Sequence, residues 1–175
     1  MDLMDLLQSA GGKQSLESIA GKLGIDSSRT GDLVSALAPA LMGSLQKQAG
    51  TSDGLSSLQN ALKKGNHQQY LKNPDLMSSM DTLKDGNNIL GHLFGSKDVS
   101  RNVAAQAAAS TGIDASLVKQ ALPLIASLAM GALSKDTDQG KQGESSISNL
   151  LGGLMGGADG KLDVDDVLNM ARKFF

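Results

Sequence analysis

The sequence predicts an all-α protein: a compact multi-helix domain built from two duplicated helical hairpins, with a short C-terminal helical arm. Three observations predict it. Apolar residues recur at three- and four-residue spacing, the period of a helix buried on one side, and no segment alternates as a strand does. One stretch of the chain repeats at a fixed offset of 88 residues. Aromatic residues make up only 2% of the chain, so the core must come from Leu, Ile, Val, Met and Ala. Small side chains let helices approach closely, and Met fills irregular gaps.

The repeat pairs residues 14–48 with 102–136, without a gap, and ten of its 35 positions are identical. They are Ala20/Ala108, Gly24/Gly112, Ile25/Ile113, Asp26/Asp114, Ser28/Ser116, Ala38/Ala126, Met42/Met130, Gly43/Gly131, Leu45/Leu133 and Lys47/Lys135. Ordinary residue frequencies would give about two or three. Each copy reads as helix, Gly-Ile-Asp corner, longer helix. The glycine suits the left-handed position that ends a helix, the isoleucine packs on that terminus, and the aspartate caps the next helix.

The elements follow in order. Residues 3–9 form a short helix ended by Gly11-Gly12, and 15–23 the first helix of copy one. The long helix over 27–48 carries an apolar stripe of Leu33, Val34, Leu37, Ala38, Leu41, Met42 and Leu45. Asp53 or Ser52 caps a helix with Leu55, Leu58 and Leu62, stopped at Gly65. Pro74 suits the first turn of a helix over 74–83. Asp85-Gly86-Asn87-Asn88 reads as a turn before a short apolar helix over 88–94. Asp98 caps the Ala-rich helix 99–110. The helix 115–134 is apolar on more than one side and is expected to be the most buried. Pro39 and Pro123 should kink or break the two long helices. Residues 1–134 thus form the duplicated domain, 135–146 a polar linker with Gly140 and Gly143, and 147–175 a C-terminal arm.

Much is excluded. The net charge is −2 with no basic stripe and few aromatics, which argues against nucleic-acid binding. There is no cysteine, hence no disulfide, thiolate nucleophile or thiolate-bound metal. The start carries two acids and no basic region, unlike a secretory signal. No uninterrupted run of eighteen apolar residues occurs, so no membrane span is expected, and a cytoplasmic setting is the default. Phosphate-loop spacing and a nucleophile elbow are both missing. Catalysis is therefore not expected, and no cofactor is implied.

Two metal readings are available. His67 and His92 lack further ligands at useful spacing. The stretch 159–166 follows the second half of a calcium loop, with Asp159, Gly160, Asp163 and Asp166 at positions five, six, nine and twelve. Positions one and three fall on Met155 and Gly157, which bring no side-chain oxygen. Asp159, Asp163 and Asp166 therefore make a degenerate, weak site for calcium or magnesium.

Four motifs together resemble a known family. They are Leu-Met-Gly-Ser-Leu at 41–45 and Ile-Leu-Gly-His-Leu-Phe-Gly at 89–95. Within 112–133 the Gly-Ile-Asp corner is followed by Leu-Pro-Leu and Ala-Met-Gly-Ala-Leu. The last is an Asp-Gly tail ahead of Val-Leu-Asn-Met at 167–170. The chain is similar to the bacterial domain-of-unknown-function family 937, the YidB-like group, over nearly its whole length. The resemblance implies a helical fold and bacterial origin, and no activity or site residues. Family members with a fuller Asp-x-Asp-Gly-Asp-Gly tail contrast with Gly157-Ala158-Asp159-Gly160 here.

The function expected from these features is a non-enzymatic helical protein-interaction or scaffold module, binding a protein partner or another copy of itself. Two alternatives are a carrier of a small apolar ligand held between the hairpins, and a weakly divalent-cation-responsive protein working through the degenerate loop.

Overall fold

The structure, a computed structural model, describes residues 3–139, with side-chain surroundings through Lys135. Among the described residues there are eight α-helices, one 3-10 turn and no strand. The helices are α1 (Leu3–Ser9), α2 (Lys13–Leu23), α3 (Ser27–Ala49), α4 (Ser52–Lys64), α5 (Gln69–Lys72), α6 (Met80–Phe94), α7 (Lys97–Thr111) and α8 (Ala115–Gln139), with the 3-10 turn at Pro74–Ser78 between α5 and α6. The described residues are all-α, as the periodicity predicts.

Helix α8 is the axis of the molecule. Every residue from Ala121 to Ser134 is buried, and the other seven helices all touch it, α6 most extensively. An all-round apolar helix can satisfy its surface only by being enclosed. By length and mean hydropathy (21 residues, 1.4), Ala115–Lys135 would also suffice to cross a membrane, which the count of uninterrupted apolar residues did not register. Here 78% of its apolar window is buried inside the fold.

The two Gly-Ile-Asp corners begin the same kind of element. Gly24 (φ +68°) ends α2 and Gly112 (φ +71°) ends α7, both in the left-handed region. The Ile25 amide donates to the Ala20 carbonyl at 3.0 Å, and the Gly112 amide to Ala108 at 2.9 Å, closing the helix ends. The aspartates then differ. Asp114 accepts the Ser116 amide at 2.8 Å, while Asp26 occupies its capping position without a side-chain hydrogen bond. The corners are neighbours, since the Arg29 guanidinium donates to the Gly112 carbonyl at 3.5 Å.

Several sequence expectations change. The caps are Thr51 for α4, Ser79 for α6 and Ser96 for α7, each accepting the amide three residues on. Pro74 opens a 3-10 turn rather than a helix reaching residue 83, because Ser79 caps a new helix. Asp85-Gly86-Asn87-Asn88 is not a turn: α6 runs through it. Pro39 and Pro123 do not break helices α3 and α8, which continue past them. The carbonyls denied a donor by those prolines belong to Ser35 and Lys119, both exposed residues within reach of water. Helix α8 also extends to Gln139, into the stretch read as a linker. The rest of that linker, the arm, and Asp159, Asp163 and Asp166 lie outside the described residues.

Candidate functional site

Two features stand out, one polar and sealed, the other apolar and open. The polar one centres on His67, just beyond the end of α4. Its Nε2 lies 3.1 Å from the Ala61 carbonyl, which can only accept, so Nε2 carries the proton. Its Nδ1, also buried, sits 3.3 Å from Asp85 Oδ2 without making a hydrogen bond to it. The Tyr70 hydroxyl donates to the same carboxylate oxygen at 2.6 Å. Burial first, and then the Asp85 carboxylate, push the Tyr70 phenol above its ordinary range.

Close backbone approach makes this cluster possible. A Cβ on Gly65 would overlap the His67 ring, and one on Gly131 would lie 2.6 Å from the His67 carbonyl. Only glycine at both positions lets the α4–α5 connection lie flat on α8. His67 and Tyr70 are each 4% exposed. The arrangement clamps α4, α5, α6 and α8 together and offers little access to a substrate. Sequence spacing did not reveal it, because Asp85 reaches His67 from a separate helix, and Asn66, Gln68 and Gln69 disguise His67 as a loop residue.

The open feature is a groove between α4 and α6. These helices do not close on one another as each closes on α8. Leu58 and Ala61 from α4 face Ile89 and Leu93 from α6, at the three- and four-residue spacing that puts them on one helix side. Met130 of α8 is among its lining residues, and Gln48 and His92 border it, with the Gln48 amide donating to the His92 carbonyl at 2.9 Å. Among the described residues, no Asp, Glu, Lys or Arg lines it, and its volume is about 110 Å³. A polar hollow of about 400 Å³ between α6 and α7 instead carries Lys97 and Arg101. Arg101 is 3.4 Å from Asp98, and both are exposed.

Among the described residues, no group of three or more His, Cys, Asp or Glu could hold a metal ion. His92 is exposed at the groove's edge and has no carboxylate partner among the described residues, whereas His67 lies beside Asp85.

The model of a family described as "Bacterial protein of unknown function (DUF937)" matches residues 5–136. The chain belongs to this family. The match spans α1 through most of α8, the part of the chain that builds the central helix and its surround. No curated protein and no solved structure matches the chain.

Proposed function

We propose that this DUF937 member is a non-enzymatic interaction module whose α4–α6 groove seats an apolar side chain of a protein partner. The observation that carries this reading is the groove itself: Leu58, Ala61, Ile89, Leu93 and Met130 around a concavity that no charged side chain of the described residues lines. Interfaces draw most of their energy from a few apolar anchors seated in such pockets. Size favours a side chain over a small-molecule ligand. At about 110 Å³ the groove is well below the roughly 300–1,000 Å³ of ligand pockets. The related hairpins, which we read as a duplication, supply a rigid frame for it.

The test places a photo-crosslinking residue at exposed Ser57, on the groove, in cells of the source bacterium. A discrete protein adduct is expected, lost when Ala61→Leu fills the groove and unchanged thermal melting shows that the fold persists. An adduct indifferent to Ala61→Leu, or none above that from a probe at Ser28, would overturn the reading.

A further inference from the structure

The groove is apolar, and the same chain carries a segment that matches it. Residues 147–155 read Ile-Ser-Asn-Leu-Leu-Gly-Gly-Leu-Met, with five large apolar side chains and no charge. We propose that residues 147–155 occupy the α4–α6 groove in cis. The proposal rests on reading the groove as a docking surface, and adds that its resident is the chain's own C-terminal segment.

Reach permits it. Met130 touches the groove, and the helix from there to Gln139 rises about 14 Å. The eight residues from Gln139 to Ile147 span up to about 27 Å when extended. They include Gly140 and Gly143, which ease a reversal of direction.

Chemistry favours this site over two other hollows among the described residues. The hollow between α6 and α7 carries Lys97 and Arg101, and that beside the end of α1 carries Lys72 and Lys135. Neither suits an uncharged apolar segment. The large apolar side chains exposed among the described residues are Met80 and Val99, single residues on separate helices. Tethering then favours the segment over a free competitor, because a short linker holds it at millimolar effective concentration. A partner entering the groove must displace it.

The absence of native cysteine makes the test clean. Ser57→Cys is combined, in the full chain, with Ser148→Cys, Asn149→Cys or Gly152→Cys, and the pairs are oxidised mildly at low protein concentration. At least one pair should form an intramolecular disulfide at a rate independent of protein concentration. That rate should be at least tenfold above the matched pair built on Ser28→Cys, about 30 Å along α3 from Gln48. Leu154→Asp in the segment, which leaves residues 3–139 untouched, and Ala61→Leu in the groove should each remove the advantage. Equal rates for Ser57 and Ser28 pairs, a disulfide formed only between chains, or indifference to Leu154→Asp would overturn the proposal. If it falls while the Ala61→Leu-sensitive adduct at Ser57 persists, the groove still binds a partner and only the resident is wrong. If both fail, the docking surface itself is refuted.

Discussion

Gly86 lies directly against the backbone carbonyl of Pro123, so closely that a Cβ on the glycine would overlap it. This approach sets the spacing of α6 on α8, the most extensive helix pair of the fold. Pro123 stands at the start of the fully buried run of α8, and Gly86 is itself buried.

Gly86→Ala is expected to destabilise the protein by about 1–3 kcal/mol, the usual cost of overpacking, despite the better helix propensity of alanine. Gly91→Ala serves as the internal control. It is on the same helix, exposed, with nothing within 4 Å of its Cβ position. It should stabilise by up to about 1 kcal/mol. In a thermal melt, where 1 kcal/mol moves Tm by about 2–4 °C at this size, the two variants should shift in opposite directions. A Gly86→Ala melt at or above that of the parent would show that α6 and α8 are not packed this tightly.

That contact also shows where the sequence was legible and where it was not. Periodicity located most of the helices, and the all-round apolar character of 115–134 identified the central one, because both follow from burial. Gly86 misled, since glycine between Asp and Asn has the composition of a turn, and its purpose is a neighbour 37 residues away. The same limit applies to Gly43 and Gly131, which are equivalent in the repeat. Gly43 faces open space, and Gly131 is pressed by the His67 carbonyl. Local pattern cannot separate them, because α3 lies toward the outside and α8 at the centre. The groove was invisible for a related reason: Leu58, Ile89 and Leu93 look like ordinary core residues until α4 and α6 fail to meet.

The two corners make a matched prediction. Gly24 and Gly112 share a left-handed conformation with nearly equal φ, +68° and +71°. Gly24→Ala and Gly112→Ala should each cost about 1–2 kcal/mol, the penalty of that conformation for a residue with a Cβ. Chemical denaturation should give both losses within experimental error of each other. Gly21→Ala, one turn earlier in α2 and without a close neighbour, should give no loss. A marked difference between the two corner variants would show that the corners carry unequal strain.

Tyr70 predicts an alkaline limit to stability. Its phenol is held protonated in the fold by burial and by Asp85, and it titrates near pH 10 in the unfolded chain. The unfolded state therefore releases its proton first. Stability is unaffected by this group below about pH 10 and falls as pH rises beyond it, toward the higher folded value. The chain has one tyrosine and no tryptophan, so tyrosinate absorbance reports this group alone. It should appear together with the loss of helical circular dichroism. Tyr70→Phe should cost about 1–3 kcal/mol at neutral pH, the range for a hydrogen bond to a charged acceptor, and should abolish the alkaline slope. Ionisation of Tyr70 with the helices intact would contradict the clamp formed with His67 and Asp85.

At the other end of the scale, Asp114 predicts an acid dependence that its repeat partner lacks. Asp114 accepts both the hydroxyl and the amide of Ser116, and these bonds hold its carboxyl below the ordinary aspartate range. Asp26 makes no side-chain bond to the start of α3. A depressed folded value means that the unfolded chain takes up its proton first as pH falls. The stabilisation is therefore complete above the ordinary aspartate value of about 3.9 and disappears as pH drops through the lower folded value. Asp114→Ala should lower Tm at neutral pH by more than Asp26→Ala does, and the deficit of Asp114→Ala relative to the parent should shrink on acidification below that point. Melts at stepped pH measure this directly. A deficit that stays constant into strong acid would show that the charge on Asp114 contributes nothing to the second corner.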